Sequence, residues 1–502
     1  MSVFLLLVLS LWGAEPQVLW SGVTSGGVYC STGMGDLNGD GVPDVACGVN
    51  FWDSQPTIWA ISGSDGSTIW TSSDHKGIYQ NEGFTGVPDM DGDGLMDLLV
   101  ATPGGYEPPG RCLYLISGAD GSTVWEWAAC ETMPVNTGWG YSCTLLDDIN
   151  ADGVDECVGG FGTSGSSNTG LVACIDGASG DSLWTVWIPD AAEDLHQFID
   201  GNADGVNDIL LAVGGNSYTG ETARLISGAD GSTLWQRNPG GDCMSVGILE
   251  RPDTYPLAVF STFSGTAACY DAGGSLQWDH SGSGMFLDVR GGPDVNGDGT
   301  GDVALAADNA GAVCISGDDG EVLWSVYTGS NTWSVAWLDT VILGGMPVPC
   351  VAAGSVNGKK VVLINACTGE TVWETEFQER VYNVSAVDLG MASMTVIAGL
   401  QDQQPLPDHA WALAGSMETG ITHGESSGSL FSTVNPSHGS IVFHADREGS
   451  MDLECFDLTG RLVFRETLQP SGGEGSRVLA PGVYLIRVSG GGITEIHRVT
   501  VL

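Results

Sequence analysis

The chain is 502 residues long and sets 62 acidic residues against 15 basic ones, a formal charge of −47. Such a surface repels nucleic-acid phosphates and anionic lipid, which excludes phosphate-backbone binding. The 76 glycines, with plentiful Val, Ile, Thr and Trp and few Lys or Arg, predict short strands joined by tight turns, and the length allows one large domain plus a small one.

In chain order, the first element is the apolar run Val3–Trp12, followed by Gly13 and Ala14. No Lys or Arg precedes it, yet its length and position read as a signal peptide over residues 1–14, too short to span a bilayer. Behind it stands a lone strand-like segment, Gln17 to Trp20.

Two elements then alternate. The first is an acidic loop, Asp-x-Asn/Asp-x-Asp-Gly-x-x-Asp/Glu, followed by an apolar run such as Val45–Val49 or Ile209–Val213. Its five copies are Asp36, Asn38, Asp40, Asp44; Asp89, Asp91, Asp93, Asp97; Asp148, Asn150, Asp152, Glu156; Asp200, Asn202, Asp204, Asp208; and Asp294, Asn296, Asp298, Asp302. In a tight loop, oxygens at positions 1, 3 and 5 converge, position 7 adds a carbonyl, and position 9 closes the shell, while Gly at position 6 permits the bend. Hard oxygen ligands in this number favour calcium. An EF-hand needs Glu at position 12, where Cys47, Val100, Gly159, Leu211 and Leu305 stand instead. The alternative, acidic turns without metal, leaves clustered carboxylates repelling one another. No loop carries an open coordination position beside a base or nucleophile, so about five structural calcium ions are expected, and they offset only part of the charge.

The second element is a hairpin: a strand ending in Ile-Ser-Gly, an Asp-Gly turn, and a strand ending in Trp. It runs Ile61–Trp70, Ile116–Trp125 and Ile226–Trp235, with variants ending at Trp184, Trp278, Trp324 and Trp373. Successive tryptophans lie between 43 residues (Trp235 to Trp278) and 59 residues (Trp125 to Trp184) apart, the length of a four-stranded propeller blade. The closing Trp is expected to pack between blades. The last unit has strands near 381–388, 394–398 and 409–413 but no Trp strand, and Gln17–Trp20 supplies one. Joining the two ends closes an eighth blade over residues 15–415 and removes the exposed sheet edges.

The Trp hairpins resemble the repeats of quinoprotein (PQQ-like) propellers, and the acidic loops resemble the FG-GAP repeats of integrin-type propellers. The fold class implied is all-β: an eight-bladed propeller followed by a small Ig-like β-sandwich. Enzymes of the first family bind PQQ on the propeller axis, often over a vicinal Cys pair and beside a catalytic Asp. No adjacent Cys pair exists here.

After Gly415 the pattern breaks. Residues 416–432 are rich in Gly and Ser and read as a linker. Beyond lie Asn435-Pro436, Asp457 to Arg461, Leu479 to Tyr484, and a terminal strand ending at Leu502. This order resembles the type A C-terminal sorting domain of the type IX secretion system over residues 433–502, with Val434 where Pro is usual and Arg498 where Lys is common. The resemblance implies export by that machinery and release or attachment at the bacterial outer surface.

Thirteen cysteines without C-x-x-C exclude zinc clusters. Cys30/Cys47 and Cys143/Cys157 flank acidic loops; a disulfide in each pair and plain buried thiols both fit. His423, His438, His444 and His497 fall in the linker or sorting region, while His75, His196, His280 and His409 have no metal-ligand spacing and read as surface or capping residues. Gly424–Gly428 matches G-x-S-x-G by chance, in a linker. With no catalytic residues identified, the expected function is a secreted or surface-attached, monomeric, non-enzymatic module that binds a glycan or a protein. A PQQ-dependent dehydrogenase and a polysaccharide-degrading propeller are the alternatives.

Overall fold

The computed structural model describes residues 16–415, apart from segments 50–55, 74–77, 79–80, 104–111, 130–138, 163–168, 216–219, 221, 253, 344 and 402–407, together with the strands between 431 and 501. The expected signal peptide and most of the linker lie outside the described residues.

Eight four-stranded antiparallel sheets follow one another around a ring. Blade one consists of Val28–Gly33, Val45–Val49, Ile58–Ile61 and Thr68–Ser72, from the axis outward. Blades two to seven repeat this order, and the first strand of each blade packs beside the first strand of the next all the way round. Each acidic loop joins the first and second strands. The second strand, Val45–Val49 in blade one, is buried throughout. Its alternate side chains enter different cores: Val45 and Cys47 pack toward blade eight, Ala46 toward blade two. The apolar runs behind the loops are thus strands covered on both faces. Among the described residues the core of the ring is a set of eight clusters, one between each pair of neighbouring blades.

Blade eight closes as its composition predicts. Val381–Val387, Thr395–Leu400 and Ala410–Ala414 take their fourth strand, Val18–Gly22, from the N-terminus. Trp20 lies opposite Ala412 and Ser21 opposite Trp411. Trp20 is 5 % exposed, against 8 % for Trp70 and 7 % for Trp125. The seam is tied further by Ser21 Oγ donating to Asp408 Oδ2 at 2.8 Å and by His409 Nδ1 lying 3.2 Å from Thr24 Oγ1. His409 is buried at this seam, which overturns the surface half of its surface-or-capping reading.

The tryptophans form an outer belt. Each indole Nε1 donates to a carbonyl in the hairpin turn, or its equivalent, of the next blade: Trp20 to Gly63, Trp70 to Gly118, Trp125 to Gly177, Trp184 to Gly228, Trp235 to Ala272, Trp278 to Gly317, Trp324 to Ala366 and Trp373 to Gly415. The turn glycine serves two ends at Gly121. It adopts φ +75°, and a Cβ there would lie 2.5 Å from the Trp70 ring.

Cys30, Cys47, Cys143 and Cys157 are free and buried. Cys30 pairs with Gly48, the neighbour of Cys47, so the two thiols face opposite sides of the sheet. Cys143 pairs with Gly159 while Cys157 pairs with Leu145, leaving the two on a diagonal. Beyond the ring, a three-stranded sheet (Phe431–Val434, Ser440–Ala445, Glu474–Val478) and a four-stranded sheet (Leu462–Leu468, Met451–Asp457, Gly482–Gly490, Ile493–Val501) are described.

Candidate functional site

The five acidic loops share one geometry. In the first, Asp36 Oδ1 accepts from Gly39 N at 2.8 Å and Asp40 N at 3.1 Å, and its Oδ2 accepts from Gly41 N at 2.9 Å. Asn38 Oδ1 accepts from Asp40 N, and Asp40 Oδ1 from Val42 N, both at 2.9 Å. These bonds curl the loop so that positions 1, 3 and 5 present oxygens from a compact turn. Backbone amides hold the exposed Asp40 and Asp200 carboxyls below the usual range, with Ser64 adding to the effect at Asp40. The pattern recurs at Asp89, Asp91 and Asp93, at Asp148, Asn150 and Asp152, at Asp200, Asn202 and Asp204, and at Asp294, Asn296 and Asp298.

Position 9 behaves differently. Asp44, Asp97, Glu156, Asp208 and Asp302 are buried. Asp97 Oδ2 accepts from Met90 N at 2.8 Å and Asp91 N at 3.2 Å, while its Oδ1 accepts from Gly118 N at 3.0 Å. Gly118 is the residue whose carbonyl receives the Trp70 indole. One carboxylate thus clamps the acidic loop to its own hairpin and, through that hairpin, to the preceding blade. The same bond reaches Gly63 from Asp44, Gly177 from Glu156, Gly228 from Asp208 and Gly317 from Asp302. Burial pushes Asp208 and Asp302 up to about 6. In the second loop, one carboxylate oxygen each from Asp89, Asp91 and Asp97 lie within 4.8 Å of one another, close enough to share a metal ion. In the other four loops position 3 is Asn, a neutral oxygen donor.

A second polar constellation lies on the axis, and no sequence pattern pointed to it. Seven of the eight first strands carry a β-bulge at Tyr29, Tyr141, Glu193, Met244, Leu287, Trp333 or Tyr382; among the described residues the second blade has none. A bulge re-aims the side chains around it. In blades three to eight the next residue reaches sideways into the neighbouring blade. Ser142 Oγ donates to Ala192 O, Val246 N donates to Asp194 Oδ2, Val335 N donates to Asp288 Oδ2, Ser334 Oγ donates to Val384 O, and Asn383 Nδ2 donates to Ser31 Oγ. Ser245 makes long contacts of 3.5 Å with Val289 in the same sense. This is an inner belt, complementary to the tryptophan belt.

Serine suffices at that position in blades three, five and seven. Blades four and six place buried Asp194 and Asp288 there instead. Arg290 answers Asp288 through Nε at 2.9 Å and reaches Glu82 Oε1 at 2.7 Å. Glu82 belongs to blade two, four places round the ring from blade six, so this ion pair spans the axis. His196 Nε2 lies 3.3 Å from Asp194 Oδ1, and Ser245 Oγ donates to Asp194 Oδ2 at 2.8 Å. Burial pushes Glu82 up to about 7, against the pull of Arg290, with Asp194 and Asp288 adding repulsion. Burial also works against the charge on Asp194, but His196 and Arg290 outweigh it and hold that carboxyl below the usual range.

Residues 219–380, less than half of the chain, match the family model described as outer membrane protein assembly factor BamB. No curated protein sequence matches. The quinohemoprotein alcohol dehydrogenase of Comamonas testosteroni superposes with TM-score 0.54 at 12 % identity, covering 84 % of this chain and 79 % of that one. The quinohemoprotein alcohol dehydrogenase ADHIIG of Pseudomonas putida HK5 gives TM-score 0.53 at 12 % identity, covering 86 % and 80 %. At this identity the likeness is one of fold: a PQQ-like, eight-bladed propeller.

The acidic spacing made the loops legible. For the axial cluster the only available signal was Asp where sister blades carry Ser, and no sequence spacing joins Glu82 to Arg290.

Proposed function

We propose that the chain is a calcium-stapled, non-enzymatic binding propeller displayed outside a bacterial cell. Its signal peptide would be residues 1–14, its acidic loops FG-GAP-like calcium sites, and residues 433–502 an Ig-like sandwich serving as a type IX sorting domain. The carrying observation is the double use of the loops. Positions 1 and 3 offer oxygens to an ion, and position 9, whose oxygen joins theirs in the second loop, also ties the same turn to the tryptophan belt. An ion there would sit at a structural joint between blades. The test is calcium removal. At free calcium about ten times its dissociation constant, each site adds about 1.4 kcal/mol. Exhaustive treatment with EDTA should lower the melting temperature clearly, and native mass spectrometry of the reloaded protein should count about five ions. An unchanged melting curve sinks the calcium reading.

The dehydrogenase fold likeness favours a second reading, a quinone-dependent enzyme. PQQ is a polycarboxylate and needs cations to hold it. The described axial cluster supplies Glu82, Asp194 and Asp288 against one arginine already engaged with two of them. By themselves these residues do not fit PQQ; a divalent ion held by the carboxylates would have to supply the missing charge. A visible spectrum of the protein with added PQQ and calcium separates the two readings: a bound-quinone band supports the enzyme.

A further inference from the structure

The bulges on the first strands do more than build the inner belt. In three successive blades, seven, eight and one, the bulged residue is aromatic: Trp333, Tyr382 and Tyr29. Tyr29 and Tyr382 stack with ring centroids 4.6 Å apart, and Trp333 meets Tyr382 edge-on at 4.8 Å. The three rings form one continuous arc across two blade boundaries. Gln401 Nε2 donates to Tyr29 Oη at 2.8 Å and places an amide at one end of the arc.

Tyr29 and Tyr382 are half-buried, but folding does not account for the exposure of the third ring. The eight belt tryptophans are largely sequestered between blades, whereas Trp333 is 44 % exposed. Tyr327, in the connection leading to Trp333, is 65 % exposed. The same connection carries Ser330 at φ 112° and Asn331 at φ 48°. Left-handed backbone at non-glycine residues costs on the order of 1–3 kcal/mol each, and such strain gathers at ligand sites. The acidic loops extend from the far ends of the first strands, so the arc lies on the opposite face of the ring. The chain leaves the propeller at Gly415, which receives the Trp373 indole as Gly63 receives that of Trp20 and so belongs to the acidic-loop face. The arc therefore faces away from the point where the chain leaves the ring.

We infer that the Tyr29–Tyr382–Trp333 arc is a binding subsite for a neutral glycan chain. This rests on the reading of the propeller as a binding module. Sugar rings offer C–H faces that lie on aromatic rings and hydroxyl edges that meet tyrosine hydroxyls and an amide. Tyr and Trp supply such amphipathic contact at small entropic cost. The charge of −47 turns away acidic polysaccharides and selects for uncharged ones. A folded protein partner would need a face of about 800 Å² per side, and the arc is a narrow strip of rings.

The experiment titrates the full chain with neutral cello-, laminari-, xylo-, manno- and chito-oligosaccharides by calorimetry, and follows ligand integrity by chromatography. One class should bind and emerge uncleaved, and Trp333→Ala and Tyr382→Ala should each weaken it by about tenfold or more; the exposed Trp333 should go at little cost in melting temperature, and Tyr382→Phe, which keeps the stacked ring, separates lost binding from lost stability. If an oligosaccharide binds but both variants bind equally well, the arc is refuted while the binding-module reading stands. Cleavage of the ligand overturns the non-enzymatic reading, and the variants then report whether the arc still holds substrate. Binding of none of the neutral series refutes the glycan assignment. A positively charged or peptide ligand that binds with dependence on Trp333 would refute it equally and leave the module reading intact.

Discussion

Glu82 is the residue where electrostatics and architecture meet. Its carboxyl is largely buried, faces Arg290, Asp194 and Asp288, and is pushed from 4.5 up to about 7. The folded state therefore holds this proton more tightly than the unfolded chain. The stability it contributes is fully present below pH 4.5 and is lost as pH rises through about 7. Glu82→Gln should flatten the stability profile over that window, removing a slope on the order of 3 kcal/mol in total. Urea unfolding of both proteins between these limits measures it; parallel profiles would show that Glu82 is solvated and ordinary. The loop carboxylates divide in the same manner. Asp97 is buried and receives three amides, whereas Asp93 is exposed and receives Leu95 N and Ser117 Oγ. Asp97→Ala leaves buried donors unpaired and should cost about 1–3 kcal/mol or more even in EDTA. Asp93→Ala should show its cost mainly when calcium is present. Thermal unfolding of both variants with and without chelator checks the contrast; equal losses in EDTA would mean position 9 is no brace.

At the scale of the element, the decisive strand is Val18–Gly22. It completes blade eight across almost the whole sequence and carries the first tryptophan of the outer belt. Trp20→Ala removes a core aromatic and its bond to Gly63, so a loss of about 3–5 kcal/mol is expected from denaturant unfolding. Deleting residues 15–22 should do worse, because it exposes the edge of Ala410–Ala414 and the flank of blade one, and aggregation on refolding is the readout. A fully stable, monomeric deletion protein would mean that the seam is ornamental. The hairpins and the buried second strands were legible beforehand, since Asp-Gly turns, closing tryptophans and apolar runs are local patterns with local causes. The bulges were not. Tyr29, Trp333 and Tyr382 sit in ordinary-looking strand segments, and an extra residue appears only when the partner strand's register is known.

For the molecule as a whole, the ring should behave as a unit separable from the segment beyond Gly415. Limited proteolysis should cut first within 416–432, leaving a resistant propeller, and a chain ending near Gly415 should stay in the periplasm of a type IX secreting host. Normal surface display of that chain would overturn the sorting assignment.

Sequence by itself determined the blade count, the closing partner and the five acidic loops, because each depends on residue type at short spacing repeated along the chain. The tertiary structure alone decided the arrangement around the axis. Ring closure brings Glu82 to Arg290 across 208 positions and sets Tyr29 of blade one against Tyr382 of blade eight. The tertiary structure also decided between the two readings of Cys30/Cys47, set on opposite faces, and of Cys143/Cys157, set on a diagonal, leaving all four as buried free thiols. Contacts between blades depend on the rotation of each sheet about a common axis, and no periodicity along the chain encodes that angle.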